Sequence, residues 1–154
     1  MIPDRVVEVV SGPAVIQVAT RDAALRPAHT LAVGAFVHDD RATVTVYVAE
    51  LRAAQTLANL ADNGRIAVAC GLVSHEAYQL KGACLESRPT TDDDVRRQEA
   101  YRAAILAAMR RAYPDAIAVP LTQGMPYRPG VAITFRVESV FLQTPGPGAG
   151  ARMV

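Results

Sequence analysis

Lysine is almost missing from this 154-residue chain: of its 16 basic side chains only Lys81 is a lysine. That skew, with the abundance of alanine, fits nucleotide composition and carries no functional reading. Cysteine is scarce too. Cys70 and Cys84 are the only two, they lack Cys-x-x-Cys spacing, and both sit in apolar runs, as buried reduced thiols do. No charge of one sign dominates, since 16 basic residues face 15 acidic ones for a net +1, which excludes the electrostatic footprint of a general nucleic-acid or membrane-surface binder. Apolar runs stay short of the ~18 residues a spanning helix needs. The start, Met1-Ile2-Pro3-Asp4-Arg5, lacks the basic-then-apolar layout of a secretion signal, so a cytoplasmic location is expected.

Catalytic signatures are equally sparse. His29, His38 and His75 are too scattered for metal-ligand spacing, and no His-x-x-x-His or Cys/His pattern occurs, so no metal is expected. There is no Gly-x-Ser-x-Gly elbow, no Gly-x-x-x-x-Gly-Lys phosphate loop and no Gly-x-Gly-x-x-Gly turn, which sets aside hydrolase, kinase and dinucleotide-fold readings. What remains is 51% apolar and 20% charged, the profile of one globular domain large enough to build a core without disulfides.

Short β-branched runs dominate what is there. Ala14 to Thr20, His29 to Val37 and Ala42 to Val48 read as three consecutive antiparallel strands, with Asp39-Asp40 in the second turn. Helical spacing then sets in over Leu51 to Leu60, placing Leu51, Ala54, Leu57, Ala58 and Ala61 near one face, and Asn63-Gly64 ends it. Arg65 to Val73 and Ala77 to Ser87 read as two further strands around a Ser74-His75-Glu76 turn. Gly82 interrupts the second, which predicts a bulge, a bend, or close approach of another backbone or a ligand. Thr90-Thr91 before Asp92-Asp93-Asp94 starts a helix that runs to Tyr113 and stops at Pro114, its acids read as caps on a solvated face rather than a cation site. Val131 to Leu142 alternates as a last strand. This order is not alternating βαβ and predicts a mainly β (α+β) fold, a small closed or split barrel with peripheral helices. The chain divides into an N-terminal arm (1–11), a barrel domain (12–142) and a Gly/Pro-rich C-terminal tail (143–154), the tail either disordered or docked across a dimer.

Gly12 to Thr20 with the Arg26-Pro27 turn, Leu57-Ala58-Asn59-Leu60 with Asn63-Gly64-Arg65-Ile66-Ala67-Val68, and Tyr78-Gln79-Leu80-Lys81-Gly82 together resemble the pyridoxamine 5'-phosphate oxidase-like FMN-binding split barrels. The likeness spans about residues 12 to 142, and order and spacing carry it, since each motif alone is mainly a helix end meeting a strand. The resemblance implies a homodimer with two FMN sites between subunits. Each ring is expected near the third strand, at Tyr47, Val48 and Ala49, and each phosphate near the following helix, where Arg52, Gln55 and Thr56 lie.

The chain departs from the family at that helix: Gln55 and Thr56 stand where relatives carry an arginine or serine and a lysine, so a phosphate loses one or two charge-assisted bonds. The Thr56 hydroxyl and Arg52, one turn earlier, are the available substitutes, although Arg52 reads equally as a solvated helix residue. The second strand offers only His29 with Thr30, so oxidation of pyridoxamine phosphate itself is not expected. Gln79 and Lys81 share one face of their strand. They read either as ligand contacts, Gln79 to a flavin edge and Lys81 to charge on the ring, or as a solvated neighbour and an edge-strand charge. Three functions stay open: an FMN-dependent oxidoreductase with unknown substrate, a non-catalytic dimeric module for a deazaflavin, haem or small metabolite, and a dimerisation scaffold.

Overall fold

The computed structural model describes all of residues 1–154. Six strands form, β1 (Val15–Arg21), β2 (Pro27–Val37), β3 (Thr43–Ala49), β4 (Arg65–Gly71), β5 (Ala77–Pro89) and β6 (Gly130–Leu142). They close into an antiparallel barrel in the order β1-β2-β3-β6-β5-β4. Closure follows from the alternation read in the sequence: Ile16 and Val18, Val44, Val46 and Val48, Ile66 and Val68, Leu80, and Ile133 and Phe135 all point inward and are buried. A sheet closed on itself also leaves few edges to manage. Asp40 shapes the β2–β3 turn, its carboxylate accepting from the amides of Ala42 and Thr43 and from the Thr43 hydroxyl.

Four helices flank the barrel: α1 (Asp4–Val10), α2 (Ala54–Asn63) after a 3₁₀ turn at Glu50–Arg52, α3 (Asp92–Met109) and α4 (Asp115–Gln123). The N-terminal arm is therefore not free of structure. Ile2, Val6, Val9 and Val10 join the core. Burying such side chains is worth roughly 1.5–3 kcal/mol each, which outweighs the weak helix propensity of valine. Between the Pro114 stop and the last strand the chain forms α4, for which the sequence pattern predicts no element. Arg102 on α3 holds its end by donating to the carbonyls of Thr122, Gln123 and Met125.

The inward face of α2 also corrects the sequence. Leu51 is 66% exposed, whereas Ala53, Thr56, Asn59 and Leu60 are buried. Two polar side chains face inward because the barrel end they meet is polar as well: Asn59 donates to the Thr20 hydroxyl at 3.0 Å. At the far end of α2, Gly64 adopts a left-handed conformation and Asn63 binds the carbonyl of Arg21, which ties the helix to β1. On α3 the expected cap is present as a full capping box between Thr91 and Asp94. Asp94 itself is buried, so it does not belong to a solvated face.

Gly82 sits at the predicted bulge, where the β5–β6 register shifts between Lys81 and Gly82. What approaches it is backbone: a side-chain carbon there would lie 1.9 Å from the carbonyl oxygen of Arg136. The C-terminal tail folds back on its own chain. Phe141 and Arg152 form an antiparallel bridge, and Leu142 and Val140 exchange backbone hydrogen bonds with Gly150, Ala151, Met153 and Val154.

Candidate functional site

The start of α2 lies beside the β1–β2 hairpin, and the two enclose a polar cleft of about 260 Å³ lined by Asp22, Arg26, Pro27 and Gln55. No side chain caps the first turn of α2, so its amides remain available, as a bound oxyanion requires. Gln55 reaches along the helix and donates to Asn59 at 2.9 Å. Arg52, in the preceding 3₁₀ turn, is exposed and belongs to no ion pair. Asp22 opposes an anion in this cleft, but Arg26 neutralises it. The Arg26 amide and guanidinium donate to the two carboxylate oxygens at 2.9 and 2.7 Å and hold Asp22 below the usual carboxylate range. Only the four-residue spacing of the two side chains pointed to this pairing in the sequence.

A second surface lies on the outside of the barrel. Gln79 and Lys81 share the outer face of β5, as their alternation predicted. The Lys81 ammonium sits 4.8 Å from the centre of the Phe141 ring. Register places Ala19, Ala67 and Lys81 in one row across β1, β4 and β5. Around them Arg21 and Arg65 help to line a depression of about 310 Å³. Neither arginine stood out in the sequence, although each shares strand parity with an outward alanine two positions away.

The remaining candidates are not brought to either surface. Val48 points into the barrel core and Ala49 is buried at the end of β3. Thr56 is only 2% exposed and faces the barrel end. Tyr47 points outward from β3 but is covered and 1% exposed. Burial first, and then the neighbouring Asp94 carboxylate, push its phenol well above the ordinary range. Asp94 forms a compact network: Arg88 donates to it at 2.5 Å, and the amide and hydroxyl of Thr91 at 2.8 and 2.9 Å. Burial alone would raise the Asp94 pKa, yet Arg88, Thr91 and Tyr47 together hold it well below the usual value. This network fixes α3 against β3 and offers no open face at Tyr47. Of the eight residues singled out, then, Gln55 and Arg52 lie at the α2 start, Gln79 and Lys81 on the outer face, and four are buried.

Burial pushes the Cys70 thiol up to about 12, and Cys84 also rises for the same first reason, so neither supplies a thiolate near neutral pH. No three His, Cys, Asp or Glu side chains converge as metal ligands. No helix is long and apolar enough to cross a membrane.

No protein-family model matches the chain, and no curated protein does. Solved structures do match in shape. The crystal structure of HupZ from Group A Streptococcus aligns with a TM-score of 0.58 at 22% identity, covering 97% of this chain and all of that one. An F420 reductase aligns with a TM-score of 0.60 at 13% identity, covering 90% and 98% of the two chains. A putative pyridoxamine 5'-phosphate oxidase from Lactobacillus delbrueckii reaches 0.50 at 15% identity, over 82% and 83%. At these identities the likeness concerns shape alone: the chain shares the barrel fold of these three structures.

Proposed function

We propose that this chain binds FMN as a homodimer and acts as a flavin-dependent oxidoreductase. The observation that carries the reading is the uncapped start of α2 opening on a polar cleft, with Arg52 unpaired in the 3₁₀ turn that precedes the helix. That donor set fits a phosphate. The α2 amides, Gln55 and Arg52 would hold it, while Arg26 cancels the charge of Asp22. Gln79 and Lys81 would meet the ring, Gln79 as a hydrogen-bonding side chain and Lys81 as a positive charge for a reduced ring. FMN, when bound, supplies hydride or electron transfer, which suits a surface that offers no convincing general acid or base. The shape shared with an F420 reductase and a putative pyridoxamine 5'-phosphate oxidase supports the same chemical class.

Dimerisation is part of the proposal because one chain leaves the two surfaces shallow and separate. The row of Gln17, Ala69 and Gln79 across β1, β4 and β5 is uncharged, with Gln17 exposed and the other two only partly buried, as suits contact with a second copy. Reconstitution of the purified chain with FMN, followed by flavin absorption, and sedimentation of the product test both halves. A yellow dimer whose FMN affinity falls roughly tenfold in Arg52→Ala is expected, the loss of one charge-assisted contact. Absence of binding at high micromolar FMN, or a monomer at all concentrations, overturns it. Asp22 favours one other reading, a non-catalytic dimeric module for a deazaflavin, haem or small metabolite that presents no phosphate to this cleft.

A further inference from the structure

The depression on the outer face of the barrel is more positive than the chain that carries it. Ala19 and Ala67 are paired in register, and Ala67 is in turn paired with Lys81. Two residues beyond Ala19 and Ala67, Arg21 and Arg65 extend from adjacent strands on the same face. Three cations from three strands thus surround a floor whose side chains end at Cβ, within about 310 Å³.

Little offsets them. The Arg65 guanidinium pairs with Glu138 at 2.7 and 3.1 Å. Arg21 donates only to the backbone carbonyl of Asp22, at 3.2 Å, and Lys81 contacts only the Phe141 ring. The carboxylate of Asp22, next to Arg21 in the chain, is paired with Arg26. Arg21, Arg65 and Lys81 against Glu138 leave two positive charges at this spot, whereas the whole chain carries +1. Like charges on neighbouring strands destabilise a sheet, and an oxyanion seated between them relieves that repulsion. Guanidinium groups present paired donors that match phosphate oxygens, and an ammonium adds three more.

We propose that this depression binds a phosphate-class oxyanion, with Arg21 and Lys81 as its principal ligands and Arg65 as a third cation held in place by Glu138. The site is distinct from the α2 cleft. If the flavin reading holds, it gives the molecule that meets the ring on the β5 face an anionic group; that assignment, and not the site itself, rests on the reading.

Calorimetric titration of the full, flavin-free chain with inorganic phosphate, at an ionic strength fixed with chloride, tests the site. Saturable binding is expected, weakened roughly tenfold in Arg21→Gln and again in Lys81→Gln. Arg96→Gln, which removes an exposed positive charge elsewhere on the chain, should leave it unchanged, and Lys81→Arg should restore most of what Lys81→Gln loses. An absence of saturable binding, an unchanged affinity in the two glutamine variants, or an equal loss in Arg96→Gln overturns the proposal. Phosphate binding in a chain that never takes up FMN would defeat the flavin reading alone, whereas FMN binding without phosphate binding would defeat this one alone.

Discussion

Asn59 on α2 donates its side-chain amide to the hydroxyl of Thr20 on β1 at 3.0 Å, and both residues are buried. The bond fixes how α2 lies across the end of the barrel, and so where its uncapped first turn opens. Asn59→Ala strands the Thr20 hydroxyl without its donor and releases Gln55, which resolvates. Urea unfolding should show a loss of about 1–3 kcal/mol, the cost of an unmade buried hydrogen bond. FMN affinity should fall with it, although residue 59 does not itself line the cleft. A variant as stable as the parent would mean that Leu60 and Ala53 alone seat the helix.

That bond also marks where sequence reasoning stops. Alternation told inward from outward on β1, β4 and β6, and it placed Gln79 and Lys81 on one face, because the side-chain period of a strand is fixed by the backbone. It did not say what covers the outward face. Tyr47 has the parity of a surface residue, yet contacts with Asp94, far away in sequence, close it off. The same limit explains α2: Leu51, Leu57 and Ala61 made the more apolar stripe, but the barrel end presents Thr20, which selects Thr56 and Asn59 instead. Valine-rich α1 was illegible because tertiary burial, not local propensity, makes it helical. At the candidate site, Gln55 and Lys81 were legible through family spacing, whereas Arg21 and Arg65 gain meaning only from cross-strand register.

Gly82 lets β5 bend against β6, and its role is backbone clearance. A methyl group there would sit 1.9 Å from the Arg136 carbonyl oxygen and 3.2 Å from Phe135, neither of which is the free end of a flexible chain. Gly82→Ala should therefore cost roughly 3 kcal/mol, the upper part of what overpacking usually exacts. Gly71→Ala is the internal control, since its added carbon would meet only Ala77 at an ordinary 3.8 Å. Thermal unfolding of the two variants side by side should separate them clearly; equal melting temperatures would show that the bulge shifts freely.

The Asp94 network predicts how stability responds to acid. Its carboxyl is held well below the ordinary value by Arg88, Thr91 and Tyr47, against the opposing effect of burial. In the unfolded chain it titrates near 3.9. A carboxylate with a depressed folded pKa stabilises the fold fully above its unfolded pKa, and that contribution fades as pH falls toward the folded value. Only 6% of this side chain is exposed, so salt screens it little. Asp94→Asn should lower stability at neutral pH by about 1–3 kcal/mol, because it leaves Arg88 and the Tyr47 phenol without their charged partner. Below about pH 4 the gap between parent and variant should narrow, since the unfolded parent then takes up a proton that the folded carboxyl resists until a lower pH. Asp22, Glu76 and Glu138, also depressed, lie on the surface and are common to both proteins, so they cancel in the difference. Urea midpoints measured from pH 7 down to acid check the sign directly: a gap that widens on acidification would mean that the buried carboxyl is protonated in the folded chain and that Tyr47 is held by something else.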